Sequence, residues 1–150
     1  MKLFNFLLTF LTVTFASLTM AADGLIVVKS PHNTKDTMNR LEDIVKQRGL
    51  NIFARIDHAA GAANVGKTLR PTELLIFGNP QGGTPFMECA QSVGIDLPLK
   101  VLAWEDASGH VWLGYNSPEF LAQRHGITDC PVVTNLQKAL SGIIETVISH

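Results

Sequence analysis

Five histidines, two cysteines and one glycine-rich segment carry most of the chemical potential of this 150-residue sequence. Asp57-His58 closes one alternating apolar stretch, and Arg70-Pro71-Thr72-Glu73 opens the next. If those stretches are neighbouring strands, Asp57, His58, Arg70 and Glu73 meet at one sheet end. A histidine beside carboxylates can work there as an acid or base, with its pKa raised by their charge. An ordinary polar network at a strand end uses the same residue types without catalysis. The segment Gly78-Asn79-Pro80-Gln81-Gly82-Gly83 reads as a glycine-rich loop before a helix that Thr84 caps and Pro85 begins. Such a loop lets backbone N–H groups approach an anion or small ligand. It lacks the Gly-Lys-Ser/Thr ending of a phosphate loop and the dinucleotide spacing, and it reads equally as a tight turn. The candidate ligand-binding residues are therefore His58, Arg70, Glu73, Gly78, Asn79, Gly82 and Gly83.

Other chemistries find less support. His32, His110, His125 and His150 are scattered, with no His-x-His, His-Glu-x-x-His or Cys-x-x-Cys pattern. Metal or haem handling would run through His58 and His125. No Gly-x-Ser-x-Gly elbow exists, so serine hydrolase chemistry has no sequence signature. Cys89 and Cys130 are a candidate disulfide, which would close a loop of about 40 residues and add roughly 4 kcal/mol by chain entropy. Two buried thiols are the other reading of the pair.

The elements that must position these residues begin after a leader. Lys2 is followed by no charge before Asp23, the apolar run is short, and Thr19-Met20-Ala21 places small residues at a cleavage site. That pattern describes a signal peptide over residues 1–21, with five hydroxyl residues arguing against a spanning helix. One domain over 22–150 follows, in the periplasm or outside the cell, with no membrane anchor after cleavage. Twelve Lys and Arg against thirteen Asp and Glu leave no basic footprint, so nucleic acid is not an expected partner.

Along the mature chain, β-branched and alternating runs predict strands at 25–29, 50–57, 72–77, 99–104 and 111–115. Asn33 and Gly49 bracket a helix, Ser117-Pro118 and Gly126 a shorter one, and Thr128 or Asp129 caps a long amphipathic helix to the C-terminus. Helices interleaved with strands, and a hairpin near the end, give an α+β class with a largely antiparallel sheet. The long C-terminal helix should lie across that sheet.

Gly109 suits the left-handed position of a three-residue hairpin loop with a bulge. Trp104 then faces Trp112 and Leu102 faces Gly114. Leu99, Val101, Ala103, Val111, Leu113 and Tyr115 share the opposite, core-facing side. The tryptophan side, which Phe53 is expected to join from the neighbouring part of the sheet, needs a cover. A second copy of the chain packed on Phe53, Leu102, Trp104 and Trp112 is one cover; a helix over residues 84–93 is another.

The runs Arg55-Ile56-Asp57-His58-Ala59-Ala60, Leu69-Arg70-Pro71-Thr72-Glu73-Leu74-Leu75-Ile76-Phe77-Gly78-Asn79-Pro80 and Asp96-Leu97-Pro98-Leu99-Lys100-Val101-Leu102-Ala103-Trp104-Glu105, with Val111-Trp112 and Tyr115 after them, resemble the bacterial family called domain of unknown function 302. The resemblance spans essentially the whole mature chain. It implies a TATA-binding-protein-like β-α-β4-α core with extra short helices, and dimeric assembly. It brings no reaction, cofactor or catalytic residue. Some members carry Cys where Gly78 stands, so a thiol-based role there does not apply to this chain.

The expected function is a secreted or periplasmic module that binds a small apolar or anionic ligand, or a partner, with no cofactor assigned. Its site would lie between sheet and long helix, or near His58 and the 78–83 segment. The alternatives are an enzyme pairing His58 with Asp57 or Glu73, and a metal or haem handling protein.

Overall fold

A computed structural model describes residues 23–149, so the expected signal segment lies outside the described residues. The chain runs β1 (Leu25–Ser30), α1 (Thr34–Gln47), β2 (Asn51–Asp57), α2 (His58–Asn64), β3 (Thr72–Gly78), α3 (Pro80–Cys89), a 3-10 segment (Gln91–Ile95), β4 (Leu99–Glu105), β5 (Val111–Asn116), α4 (Pro118–Arg124) and α5 (Pro131–Ile148). The five strands form one sheet in the order β1-β5-β4-β3-β2, and every neighbouring pair is antiparallel. This is the α+β class expected, and the β-α-β4-α order is interrupted only by short helices.

Local chemistry sets the boundaries. Asn33 Oδ1 accepts the Asp36 N–H at 2.8 Å, which satisfies a donor the first turn of α1 would otherwise leave open. Gly49 ends that helix at φ +71°, a conformation that only glycine adopts without strain. Buried Met38, Leu41 and Val45 of α1 and Leu140, Ile143, Ile144 and Val147 of α5 pack on Leu75, Phe77, Val101, Ala103, Leu113 and Tyr115 of the sheet. Arg40 donates to the Val147 and Ser149 carbonyls, placing a cation at the negative end of α5, and Arg48 donates to the Gly142 carbonyl within that helix.

A second apolar cluster sits beyond the sheet end. Phe86 of α3, Val93 of the 3-10 segment, Leu121 and Ala122 of α4 and Val133 of α5 form it. Cys89 and Cys130 are joined by a disulfide, with 6.1 Å between their Cα atoms. The bond ties the end of α3 to the start of α5.

Three expectations are corrected here. The 78–83 segment is not a loop: Asn79, not Thr84, caps α3, its Oδ1 accepting the Gly82 N–H at 2.9 Å. Pro80 rather than Pro85 begins the helix, since a first-turn N–H has no intrahelical partner to lose and proline's φ is already helical. Cys130 occupies the cap position of α5 without a side-chain hydrogen bond, in place of Thr128 or Asp129, because Pro131 begins the helix immediately after it. Phe53 is the extra residue of a bulge: the β2–β3 register passes from Ile52↔Phe77 to Ala54↔Ile76. The bulge takes Phe53 out of the alternation that would have carried it to the tryptophan side.

Candidate functional site

At the end of β3 the chain turns through Gly78 directly into α3, and the two glycines of the first turn of α3 face α5 and the Leu97 loop. A Cβ on Gly82 would come 3.3 Å from Leu136, and one on Gly83 would come 3.7 Å from Leu97. The missing side chains leave room between the two apolar clusters. A cavity of about 440 Å³ lies there, with Phe77 and Leu99 of the sheet on one side and Leu136, Leu140 and Ile143 of α5 on another. Gly78, Asn79, Gly82, Gly83 and Met87 complete much of its wall. Among the described residues Asn79 and Thr84 supply its only polar side chains, and none of the lining residues is charged. Phe53, 58% exposed, belongs to the lining, as do the exposed Thr84 and Ala139, so the cavity opens to solvent on that side.

Four of the seven candidate ligand-binding residues, Gly78, Asn79, Gly82 and Gly83, are therefore together. The other three are elsewhere. Asp57 and Glu73 are register partners, as neighbouring strands require, but each carboxylate is already engaged. Asp57 Oδ1 caps α2 by accepting the Ala60 N–H at 2.8 Å. Glu73 takes Arg55 at 2.7 Å, and Arg55 also reaches Glu42 of α1 at 3.1 Å. Hydrogen bonds from Lys46 and Arg55 hold the Glu42 carboxyl below its ordinary pKa. Arg70 Nε donates to the Glu105 carbonyl at 3.1 Å. His58 occupies the exposed first turn of α2. Among the described residues His58 makes no hydrogen bond to Asp57 or Glu73, whose carboxylates serve a helix cap and an arginine.

The hairpin carries the expected register, Trp104↔Trp112 and Leu102↔Gly114. The Trp104 ring lies over Gly114, where a Cβ would approach it to 2.9 Å. Trp112 Nε1–H donates to Asp106 Oδ2 at 2.8 Å, and Asp106 Oδ1 accepts the Ser108 and His110 N–H groups. The indole bond first, then the backbone donors, lower the Asp106 pKa to about 2. Both indoles are half-buried, on the side of the sheet away from α1 and α5. The proposed cover by residues 84–93 does not occur, since α3 packs with α5 and the 3-10 segment instead.

One cluster had no signature in the sequence. Ser92 Oγ lies 2.8 Å from His125 Nδ1, His125 Nε2 lies 2.7 Å from Asp96 Oδ2, and Arg124 donates to Asp96 Oδ1 at 2.9 Å. With both ring nitrogens engaged, His125 has none to offer a metal, and it does not join His58. The metal or haem reading through these two histidines therefore has no assembled site among the described residues.

A family model described as "Domain of unknown function DUF302" matches residues 26–147. The fold resembles a crystal structure of an uncharacterized conserved protein DUF302 from Bacillus stearothermophilus, with a TM-score of 0.74 and 21% sequence identity. That likeness covers 84% of this chain and 99% of the other. Two curated relatives, fluoride-specific ion channel FluC 1 of Brucella suis and FluC 1 of Brucella abortus, are each 51% identical over 104 residues. The match takes in 69% of this chain but only 41% and 38% of those proteins, so the chain spans about two-fifths of the curated relatives it matches.

Proposed function

The chain belongs to the DUF302 family, a domain of unknown function, and we propose that it is a secreted module holding a small apolar ligand between its sheet and α5. The observation that carries this reading is the uncharged cavity opened by Gly82 and Gly83. Each glycine within a helix costs roughly 0.5–1 kcal/mol relative to alanine, and here an alanine at 83 would meet only ordinary contact. Helix stability is given up where it leaves space. A cavity of this volume falls within the range of small-molecule sites, which are mostly apolar with a few placed polar groups; Asn79 and Thr84 are those groups here. The disulfide supports an oxidising compartment.

The fluoride relatives do not supply the ligand. Moving a bare anion from water into an uncharged, apolar wall leaves an unpaired buried charge, which is among the most unfavourable transfers in protein chemistry. The channel activity is named for chains of which this one matches about two-fifths.

Gly83→Leu fills the cavity from its α3 wall. Titration with the uncharged fluorophore N-phenyl-1-naphthylamine should give saturable fluorescence enhancement with the wild type. The variant, with an unchanged circular dichroism spectrum, should bind at least about tenfold more weakly, a difference of about 1.4 kcal/mol. Equal affinity in both proteins contradicts the cavity as the binding site.

A second reading concerns the tryptophan side, and we propose that a second copy of the chain covers it. The strand register puts Leu25, Val27, Leu74, Ile76 and Leu102 on the same side of the sheet as Trp104 and Trp112, and Ile56 of β2, 38% exposed, extends the face. Lys29 shares it with Asp106, so a two-fold pairing can set opposite charges together. Sedimentation should report a dimer for the wild type and a monomer for Trp112→Glu. A wild-type monomer overturns this part.

A further inference from the structure

Ser92, His125 and Asp96 form a hydrogen-bonded line that the ligand cavity does not use, since Ser92 is not part of its wall. The 3-10 segment and the residue after it bring Ser92 and Asp96 to the same side, and α4 ends at the imidazole that joins them. His125 is 8% exposed and Asp96 12%, whereas Ser92 is exposed to solvent. An ionised carboxylate only accepts, so Nε2 carries the ring proton and donates to Asp96. In the neutral form of the ring the Nδ1 lone pair then faces the Ser92 hydroxyl, which donates to it. That is the arrangement of a nucleophile, a base and a group that fixes the base's tautomer, and it is recognised by geometry rather than by position in the chain. The ring is used from its Nδ1 side. Arg124 holds the second oxygen of Asp96 and so fixes the carboxylate's orientation.

We propose that Ser92 and His125 are the catalytic residues of a serine acyl-hydrolase site for esters of short aliphatic acids, with Asp96 and Arg124 as positioning residues. Residues three apart eclipse one another on a 3-10 turn, which sets Ile95, 76% exposed, beside the Ser92 hydroxyl. A large exposed aliphatic residue next to the nucleophile selects an aliphatic acyl group. In the first half-reaction the Ser92 oxygen bonds to the ester carbonyl carbon while its proton passes to His125 Nδ1. The bond to the alcohol oxygen then breaks, and that proton leaves with the alcohol. Water attacks the acyl-serine by the same route, releasing the carboxylic acid and returning the proton to Ser92. Water is the only co-reactant, and nothing is oxidised or reduced.

The test is labelling of the intact, disulfide-bonded protein with an alkyl fluorophosphonate, read by mass spectrometry, alongside hydrolysis of p-nitrophenyl butyrate. One adduct at Ser92 is expected, absent from Ser92→Ala. Labelling and hydrolysis should both fall by about 10²- to 10⁴-fold in His125→Gln, the range that a positioned base contributes. Should that variant disturb the fold, Asp96→Asn keeps the imidazole and the side-chain size, and the same fall is expected from it. No adduct on the wild type, an adduct at another residue, or a rate unchanged by loss of the imidazole overturns the proposal.

Discussion

Exchanging both cysteines, Cys89→Ala with Cys130→Ala, is expected to lower the free energy of unfolding by about 4 kcal/mol relative to the oxidised wild type. The bond spans 41 residues of sequence, and cross-linking a loop of that length removes conformations mainly from the unfolded chain. The loss should be expressed locally as well. The bond sits at the edge of the cluster built from Phe86, Val93, Leu121, Ala122 and Val133, which is separate from the larger core over the sheet. Without it, α3 rests on the apolar contacts of that cluster, and hydrogen exchange there should quicken more than in β3–β5. Guanidinium melts of the two proteins measure the effect. An unchanged midpoint, together with two thiols titrating in unreduced, unfolded wild type, contradicts the bond.

Phe77→Ala should cost a comparable 3–5 kcal/mol, the range for removing a phenyl ring from a packed interior. Phe77 is fully buried between β3 and the helices, and its ring also forms part of the cavity wall. Its removal deletes apolar contact and enlarges a space that already exists, so the neighbours have little with which to refill it. Urea melts should show a lower midpoint with a similar slope. A loss below about 1 kcal/mol would mean that this side chain is not packed as described.

Much of the sheet was legible because its signals are local. Alternation marked the strands, Gly109 fixed the hairpin loop at φ +78°, and the loop then dictated that Trp104 oppose Trp112. Asn33 and Ser117 announced their helices in the same way. The α3 boundary was misread because glycine pairs are read as turn residues, whereas here their value is the volume they leave against Leu136 and Leu97. Phe53 was assigned by counting along an alternation, which cannot detect an inserted bulge residue. Of the candidate site residues, the 78–83 positions came together because they are adjacent in sequence. Arg70 and Glu73 did not, because their partners, the Glu105 carbonyl and Arg55, lie on other elements, and His58 stands exposed at the start of α2. Ser92, Asp96 and His125 escaped notice for a related reason. Some thirty residues separate the imidazole from the other two, and only tertiary packing joins them.

The most direct test of the ligand cavity locates a bound guest. With N-phenyl-1-naphthylamine near saturation, intermolecular NOEs from its ring protons should appear to the Met87, Leu136 and Leu140 methyl groups, which line opposite walls of the same space. NOEs confined to Leu102 and the two indoles, or none under conditions where fluorescence reports binding, would contradict a guest held between the sheet and α5.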